Sequence, residues 1–213
     1  MARSPNRPSA AALRALRRSD PALGAALTRV APFPGFPSAT GTDSHFHALA
    51  RSIISQQLAT AAARTIHGRV RALSPGPRFL RPEDVLALAP AALRGAGLSG
   101  AKLASLVDLA ERCLDGRLAL HRVARMSDEE VIERLVEVRG IGRWTAQMFL
   151  MFRLGRLDVL APDDLGLREG LRRLDGLPER PTPKALAVRG ECWAPLRSVA
   201  SWALWRLTEE PAT

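Results

Sequence analysis

The sequence predicts an all-α fold, and three features of its pattern lead to that prediction. Apolar residues recur at helical spacing along most of the chain, for example at Phe46, Leu49, Ile53 and Leu58. Residues typical of helix starts precede these periodic stretches, and Gly or Pro separates them. Only residues 156–162 have the composition of a strand, and we expect them to form an extended connector.

The N-terminal part of the chain contains few regular segments. We expect residues 1–8, with their two prolines, to be loose and residues 31–43 to form an irregular linker. Between them Asp20 and Pro21 mark a helix start, because Asp caps a helix well and Pro suits its first position.

The rest of the chain reads as consecutive helices. Ser127 and Glu130 form a capping box, in which each side chain accepts a hydrogen bond from the other residue's backbone amide, so a helix over 127–137 is predicted. Beyond the linker, one helix is expected to begin at Ser44 and the next to run through 59–73. After a Pro-rich break at 74–82, shorter helices are expected at 83–89, 90–95 and 100–114.

Length and composition limit the classes of protein. At 213 residues with 46% apolar content, the chain can build a core in one large domain or two small lobes. A net charge of +10 and a pI near 11.3 favour an acidic partner, of which nucleic acid is the commonest. A solvated surface in an arginine-rich composition is the other reading, because Lys occurs only at Lys102 and Lys184 and Tyr is absent.

The cysteine and histidine patterns argue against a metal centre or a disulfide framework. Cys113 and Cys192 are too few for a four-thiolate zinc or iron–sulfur site, and a reduced cytoplasm fits them best. No signal-peptide core and no apolar run of about 18 residues occurs, so we expect no membrane association. The histidines lack metal-ligand spacing and are expected to be structural: His45, His47, His67 and His121.

A glycine-bracketed turn follows the helix predicted over 127–137. Gly140 and Gly142 allow a tight hairpin before the next helix, which is expected to begin near Arg143. Amides at that helix N-terminus would favour a phosphate, and Arg139 and Arg143 flank them. An ordinary αα-hairpin with a glycine cap is the alternative reading.

Two adjacent aspartates follow the second helix of the hairpin. Asp163 and Asp164 precede a helix expected from Leu165, so one of them is predicted to cap that helix and the other to face a cleft. A carboxylate beside a DNA-binding hairpin would repel phosphate, which suggests that it stabilises positive charge during a reaction.

These motifs resemble those of the helix-hairpin-helix base-excision DNA glycosylases. Residues 135–152 and 160–171 resemble the family's hairpin, Gly/Pro-rich loop and aspartate motif. Residues 50–63, 97–106 and 192–207 are similar to one branch, DNA-3-methyladenine glycosylase II. The resemblance covers roughly residues 44 to 208 and implies hydrolysis of the N-glycosidic bond of a damaged base that has been flipped out of the DNA helix.

By motif position, the resemblance makes Asp164 the catalytic carboxylate, which would stabilise the oxocarbenium-like sugar and orient the attacking water. It implies a base pocket with Trp144 and Trp205, since a cationic alkylated purine should favour an indole face. Trp193 and Trp202 are expected in the core instead. Met148 and Arg206 stand in the pocket where the family often has tyrosine, which implies a more open pocket.

The resemblance also implies a set of DNA contacts. Gln57, with Leu58 beside it, falls where the family places the side chain that fills the gap left by the flipped nucleotide, although Leu is often found there. No cofactor is required, but a structural Na⁺ or K⁺ at the hairpin could be bound by the carbonyls of Val136, Val138 and Ile141. The remaining expected DNA contacts are Arg139, Gly140, Ile141, Gly142, Arg143 and Thr145.

Trp144 occupies the position at which strand-cutting relatives have an imine-forming lysine, and no lysine lies between Lys102 and Lys184. The resemblance therefore implies a monofunctional glycosylase that acts on double-stranded DNA containing alkylated purines such as 3-methyladenine and 7-methylguanine. Two other readings remain open: a glycosylase for an uncharged lesion such as uracil or 8-oxoguanine, and a non-catalytic helix-hairpin-helix DNA-binding protein.

The expected architecture has two helical lobes with a DNA- and base-binding cleft between them. Residues 44–160 would form the hairpin lobe, and 1–43 would pack with the C-terminal lobe of 161–213. Larger relatives carry an N-terminal β-rich domain, so this chain resembles a compact form. We expect a monomer in the bacterial cytoplasm.

Overall fold

The computed structural model describes residues 6–36, 44–76 and 78–209. Within these ranges it contains helices and connecting segments but no β-sheet, which confirms the predicted all-α class. Residues 1–5, part of the segment expected to be loose, and residues 37–43, the second half of the expected linker, lie outside the described ranges.

Most of the predicted helices occur within a few residues of their expected bounds. In chain order the α-helices are α1 (Ala10–Ser19), α2 (Pro21–Arg29), α3 (His45–Ser55), α4 (Thr60–Ala72), α5 (Pro82–Ala87), α6 (Pro90–Gly95), α7 (Gly100–Leu114), α8 (Asp128–Val136), α9 (Arg143–Phe152), α10 (Leu165–Leu174), α11 (Pro183–Arg189) and α12 (Arg197–Glu209). Short 3₁₀ helices occur at Val123–Arg125 and Gly190–Trp193.

Helix starts follow the predicted caps. The Asp20 carboxylate accepts a hydrogen bond from the Leu23 amide at 3.0 Å, and Ser44 accepts one from the His47 amide at 3.0 Å. The capping box of Ser127 with Glu130 forms as predicted. These caps satisfy amides that an α-helix leaves without internal acceptors, which is why a local sequence signal fixes the helix start.

The stretch 156–162 is an extended connector, as expected, and not a strand. Pairing of β type in the described ranges is limited to a single bridge between Asn6 and Phe36. Across these ranges, every helix is too short or too polar to cross a membrane.

The chain divides into two compact units. Among the described residues, 44–149 form one, called the hairpin unit, and 6–36 with 150–209 form the other, called the terminal unit. This division falls inside α9 (Arg143–Phe152), whereas the sequence places a boundary after residue 160. The last turn of α9 is tied to the connector that follows it, because the Arg156 amide donates a hydrogen bond to the Leu150 carbonyl at 3.0 Å.

Each unit has its own apolar core. The hairpin unit buries side chains from α3, α7 and α8, including Ile53, Leu106 and Leu135 at 0% exposure. In the terminal unit, α10 and α12 pack closely at Gly170, where a Cβ atom would collide with the Leu204 carbonyl. This close approach sets the separation of the two helices that carry the candidate site.

A buried polar cluster joins the N-terminal helices to the rest of the terminal unit. The Trp193 indole N–H donates to Asp20 Oδ2 at 2.6 Å, and Arg189 forms an ion pair with the same carboxylate at 2.7 Å. Burial would raise the pKa of Asp20, but hydrogen bonds from Arg189, Leu23 and Trp193 lower it below its ordinary value. The predicted core position of Trp193 is confirmed.

Candidate functional site

Asp164 is the N-cap of α10. Its Oδ1 accepts a hydrogen bond from the Leu167 amide at 2.8 Å, and its own amide donates to the Ala161 carbonyl at 3.0 Å. The carboxylate therefore lies at the positive end of the α10 dipole. Asp164 is half-buried and Asp163 is exposed.

The sequence predicted that one aspartate of the pair caps α10, and the structure identifies that residue as Asp164. Asp164 is therefore both the helix cap and the residue that the family resemblance makes the catalytic candidate. The two roles are compatible because a carboxylate has two oxygens with several acceptor sites, and the cap hydrogen bond is made by Oδ1.

Trp205 on α12 is brought directly to this carboxylate. Its indole N–H donates to Asp164 Oδ1 at 3.0 Å, so this one oxygen is held from two directions. Gly166 makes the approach possible, because a Cβ there would lie 3.0 Å from Trp205 Cδ1 and 3.1 Å from Asp164 Oδ1. Sequence reasoning assigned Trp205 to a pocket but predicted neither this hydrogen bond nor the need for Gly166.

Phe152 is a third member of this cluster that the sequence analysis missed. Its ring stacks on Trp205 with centroids 5.7 Å apart and an interplanar angle of 29°, and its side chain is 46% exposed. Phe36 contacts Phe152 edge to face at 5.4 Å. Phe152 ends the apolar run of α9, so its sequence context indicated a core residue, and only its exposure distinguishes it.

The connector before the aspartates is anchored to the start of α12. Arg197 donates from Nε and Nη2 to the Asp158 carboxylate at 2.8 Å each, and Ser198 Oγ accepts from the Val159 amide at 2.8 Å. Burial would raise the pKa of Asp158, but the hydrogen bonds from Arg197 lower it. Both the aspartate segment and Trp205 are thus positioned by the same helix.

The other aromatic and pocket candidates have different surroundings. Trp202 is half-buried, packs edge to face against Phe33 at 5.5 Å, and has the Arg206 guanidinium 6.0 Å from its ring centroid. Arg206 also forms an ion pair with Glu209 at 2.6 Å. Met148 and Trp144 belong to the hairpin unit, where Met148 is half-buried and Trp144 is 45% exposed. Their assignment to a base pocket stays a prediction.

The hairpin has the geometry that its glycines predict. Gly140 has φ of 77°, a value that L side chains adopt with strain, and the Ile141 amide donates to the Val138 carbonyl at 3.0 Å. The turn then enters α9, at whose N-terminus Gly142 and Arg143 are exposed. Amides at a helix N-terminus favour a bound phosphate, and the assignment of this helix start as a phosphate site stays a prediction.

The predicted DNA contacts differ in exposure. Thr145 and Ile141 are buried, at 7% and 3% exposure, and their contact with DNA stays a prediction. Arg143 makes a bidentate ion pair with Glu129 at 2.7 and 2.8 Å, and this hydrogen bonding lowers the pKa of Glu129. Exposed pairs of this kind are weak, so a phosphate can compete for Arg143.

Gln57 occupies an exposed turn between α3 and α4. Its φ is 56°, and among the described residues it is the one residue other than glycine that has a positive φ. Leu58, beside it, is 36% exposed. The preceding residue, Gln56, donates from Nε2 to the Gly140 carbonyl at 2.8 Å. The structure therefore places the predicted wedge turn directly against the hairpin turn.

Two of the four histidines form a partly buried pair. His47 and His67 approach with 2.8 Å between their Nε2 atoms, and the Phe79 ring stacks on both. Within the described ranges no group of three or more His, Cys, Asp or Glu side chains could hold a metal ion. Burial raises the pKa of Cys113 to about 12, which makes its thiol unreactive at neutral pH.

A family model described as "HhH-GPD superfamily base excision DNA repair protein" matches residues 50–195, so the chain belongs to that superfamily. DNA-3-methyladenine glycosylase 1 of Schizosaccharomyces pombe is 39% identical over 165 residues, which cover 77% of this chain and 72% of the relative.

Two solved structures extend the similarity to the fold. The S. pombe 3-methyladenine DNA glycosylase (Mag1) in complex with abasic DNA superposes with a TM-score of 0.81 at 33% identity, covering 94% of this chain and 98% of that one. A DNA-3-methyladenine glycosidase from Bacillus halodurans gives a TM-score of 0.82 at 36% identity, covering 91% and 87%. The predicted family and class of enzyme are confirmed.

Proposed function

We propose that the protein is a monofunctional DNA glycosylase that flips alkylated purines out of double-stranded DNA and hydrolyses their N-glycosidic bonds. The observation that carries the proposal is the Asp164 carboxylate, held by the α10 N-terminus and the Trp205 indole. Membership in a base-excision repair superfamily and relatives named 3-methyladenine glycosylases support the same reaction and lesion class.

The chemistry requires little from the protein beyond this carboxylate. An alkylated purine such as 3-methyladenine or 7-methylguanine carries a positive charge, so it leaves with the bonding electron pair as a neutral base. The sugar is left with the positive charge, which Asp164 stabilises electrostatically. A water molecule then adds to the sugar carbon and loses a proton, which completes hydrolysis.

The absence of an imine-forming lysine supports a monofunctional reaction. Trp144 stands directly after the hairpin sequence, where a lyase would need the amine. Of the two lysines in the chain, Lys184 lies on α11, and Lys102 donates from Nζ to the Ile54 carbonyl at 2.7 Å. An amine engaged with a helix carbonyl is a poor nucleophile.

The hairpin is proposed to bind the DNA backbone. Amides at the start of α9, together with Arg139 and Arg143, would contact phosphates without reading the base sequence. We propose that the carbonyls of Val136, Val138 and Ile141 bind a Na⁺ or K⁺ ion, because carbonyl oxygens near a helix C-terminus carry partial negative charge. The Val138 carbonyl already accepts a hydrogen bond from the Ile141 amide and would use its second lone pair. Such an ion would supply positive charge for a phosphate.

The proposed partner is duplex DNA with an alkylated base, and the proposed working form is a monomer in the bacterial cytoplasm. The net charge of +10 suits such a polyanionic partner.

A base-release assay tests the lesion class. Purified protein is incubated with methylated duplex DNA, with uracil-containing DNA and with 8-oxoguanine-containing DNA, and the released bases are identified by mass spectrometry. The proposal predicts release of 3-methyladenine or 7-methylguanine. Release of uracil or 8-oxoguanine without alkylated bases would contradict it, and DNA binding without release of any base would indicate a non-catalytic binding protein.

A further inference from the structure

Lys102, near the start of α7, is tied to the end of α3. Its Nζ donates to the Ile54 carbonyl at 2.7 Å, and Ile54 lies in the last turn of α3, where carbonyls lack internal donors. An ammonium group also suits the negative end of the helix dipole. Partial burial lowers the pKa of Lys102. This contact fixes the α3 terminus from which the Gln57 turn begins.

The same helix holds the hairpin turn through Ser105 and Asp108. The Asp108 Oδ2 accepts a hydrogen bond from the Arg139 amide at 2.7 Å. Ser105 is 6% exposed, and a Cβ on Gly140 would lie 2.6 Å from its Oγ, so the turn rests on the surface of α7. Gly140 is needed here for close approach as well as for its positive φ.

These side chains share one face of α7. Lys102, Ser105 and Asp108 are spaced three residues apart, which places them over adjacent turns of the helix. Gln56 completes the arrangement by donating to the Gly140 carbonyl at 2.8 Å. Two exposed turns, distant in sequence, are thus fixed to one rigid support and to each other.

We propose that this face of α7, and Lys102 in particular, positions the Gln57 turn relative to the hairpin so that base extrusion is coupled to backbone binding. The inference rests on the proposed function, in which the hairpin holds phosphates, and on the prediction from the family resemblance that the Gln57 turn fills the gap left by the flipped nucleotide. The distance between the hairpin and the Gln57 turn must therefore match the fixed spacing of nucleotides in the duplex. A displacement of about 1 Å at a reacting site can reduce a rate by about 100-fold.

Lys102→Met tests this role with little risk to the fold. Met keeps the apolar stem of the side chain, removes the hydrogen bond to Ile54, and relieves the cost of burying a charge. Lys184→Met is the matched control, because it removes the same charge from an exposed position on α11. Lys102→Arg restores a donor and should recover part of any loss.

Three quantities are measured for each variant: affinity for an undamaged duplex, emission of 2-aminopurine placed beside a reduced abasic site, and the single-turnover rate of 7-methylguanine release. Lys102→Met should match Lys184→Met in affinity but lose most of the 2-aminopurine signal. Its excision rate should fall by about 10-fold or more, as expected for a misplaced turn. Equal losses of affinity and extrusion, or no loss of either, would overturn the inference.

Gln56→Met provides an independent test, because it breaks the contact between the two turns without changing charge. If both residues act through the position of the Gln57 turn, the double variant should lose less extrusion than the product of the single losses. Independent, multiplicative losses would contradict a shared role.

The 2-aminopurine measurement separates this inference from the proposed reaction. If the wild-type protein releases no base, but the 2-aminopurine signal that it gives is lost in Lys102→Met, the reaction is refuted and the positioning role is supported. A wild-type protein that releases alkylated bases, with Lys102→Met indistinguishable from Lys184→Met, would support the reaction and refute the positioning role.

Discussion

Asp164 Oδ1 accepts hydrogen bonds from the Leu167 amide and the Trp205 indole, so a test of its charge must leave an acceptor in place. Asp164→Asn does so, because an amide oxygen can cap α10 and accept from Trp205. We predict that base release falls by at least about 100-fold, since the charge that stabilises the sugar cation is lost. Single-turnover base release and duplex affinity are measured in parallel.

Affinity for undamaged DNA should remain nearly unchanged in Asp164→Asn. Asp163→Ala is the control, because Asp163 is exposed and does not cap the helix. Wild-type turnover by Asp164→Asn, or loss of activity in Asp163→Ala alone, would contradict the assignment of the catalytic carboxylate.

Trp205→Phe should slow base release while leaving the fold intact. Phe preserves an aromatic ring against Phe152 but removes the N–H that holds the Asp164 carboxylate. A hydrogen bond to a charged group contributes about 1.5–3 kcal/mol, so we expect a loss of about tenfold or more in the single-turnover rate. Trp202→Phe is the control, since Trp202 packs on Phe33 instead. Equal rates for the two variants would show that the indole N–H has no part in catalysis.

The sequence identified Asp164 and Trp205 through their motifs, but not how they meet. Helical periodicity reports which residues share a face of one helix, whereas the contact between them depends on the packing of α10 against α12. Phe152 was missed for the same reason. Its place in an apolar run is typical of a core residue, and its exposure is set by the tertiary structure.

At the scale of elements, the two hairpin glycines have different requirements. Gly140 has a positive φ and contacts Ser105, whereas a Cβ on Gly142 would meet no atom within 4 Å. Gly140→Ala should therefore lower the free energy of unfolding by at least about 1 kcal/mol and weaken binding to damaged and undamaged duplexes alike. Thermal unfolding and fluorescence anisotropy measure the two effects.

Gly142→Ala serves as the matched control for the fold. It should preserve stability, so any loss of DNA affinity in this variant would report a close approach of the DNA backbone to the helix start. If Gly140→Ala bound DNA as tightly as the wild type, the hairpin would not be the DNA anchor.

The charges of α10 predict a pH dependence of stability. The hydrogen bond from Arg172 lowers the pKa of Glu169 from 4.5 to about 2. A pKa lowered in the folded state means that ionised Glu169 stabilises the fold above about pH 4.5, and this contribution is lost as the pH falls towards about 2.

Glu169→Gln should therefore lower Tm at neutral pH, by about 2–4 °C for each kcal/mol lost, and the difference from wild type should shrink towards pH 2. Calorimetry at a series of pH values measures the difference in Tm between Glu169→Gln and the wild type. A difference in Tm that does not change with pH would show that the ion pairs of Glu169 make no net contribution.

Local sequence signals predicted helix starts better than they predicted contacts between residues that are distant in the sequence. Asp20, Ser44 and Ser127 each cap the helix expected of them, because capping needs only atoms within a few residues. The contact between Gln56 and the Gly140 carbonyl joins positions 84 residues apart, and no local pattern records it.

At the scale of the whole molecule, periodicity also indicates little about how helices group into units. The sequence pattern changes from helix to connector before residue 160, whereas the compact units divide between residues 149 and 150, within α9. The family resemblance and the all-α class were accessible from sequence because both depend on motif order and local spacing.

We propose that this chain hydrolyses the bond between an alkylated base and deoxyribose without cutting the strand. The most direct measurement uses an end-labelled duplex with a single 7-methylguanine, incubated with the protein and divided into untreated and alkali-treated halves. We predict that strand cleavage occurs only after alkali, because Trp144 replaces the imine-forming lysine. Strand breaks in the untreated half, or a protein–DNA adduct trapped by borohydride, would contradict the account.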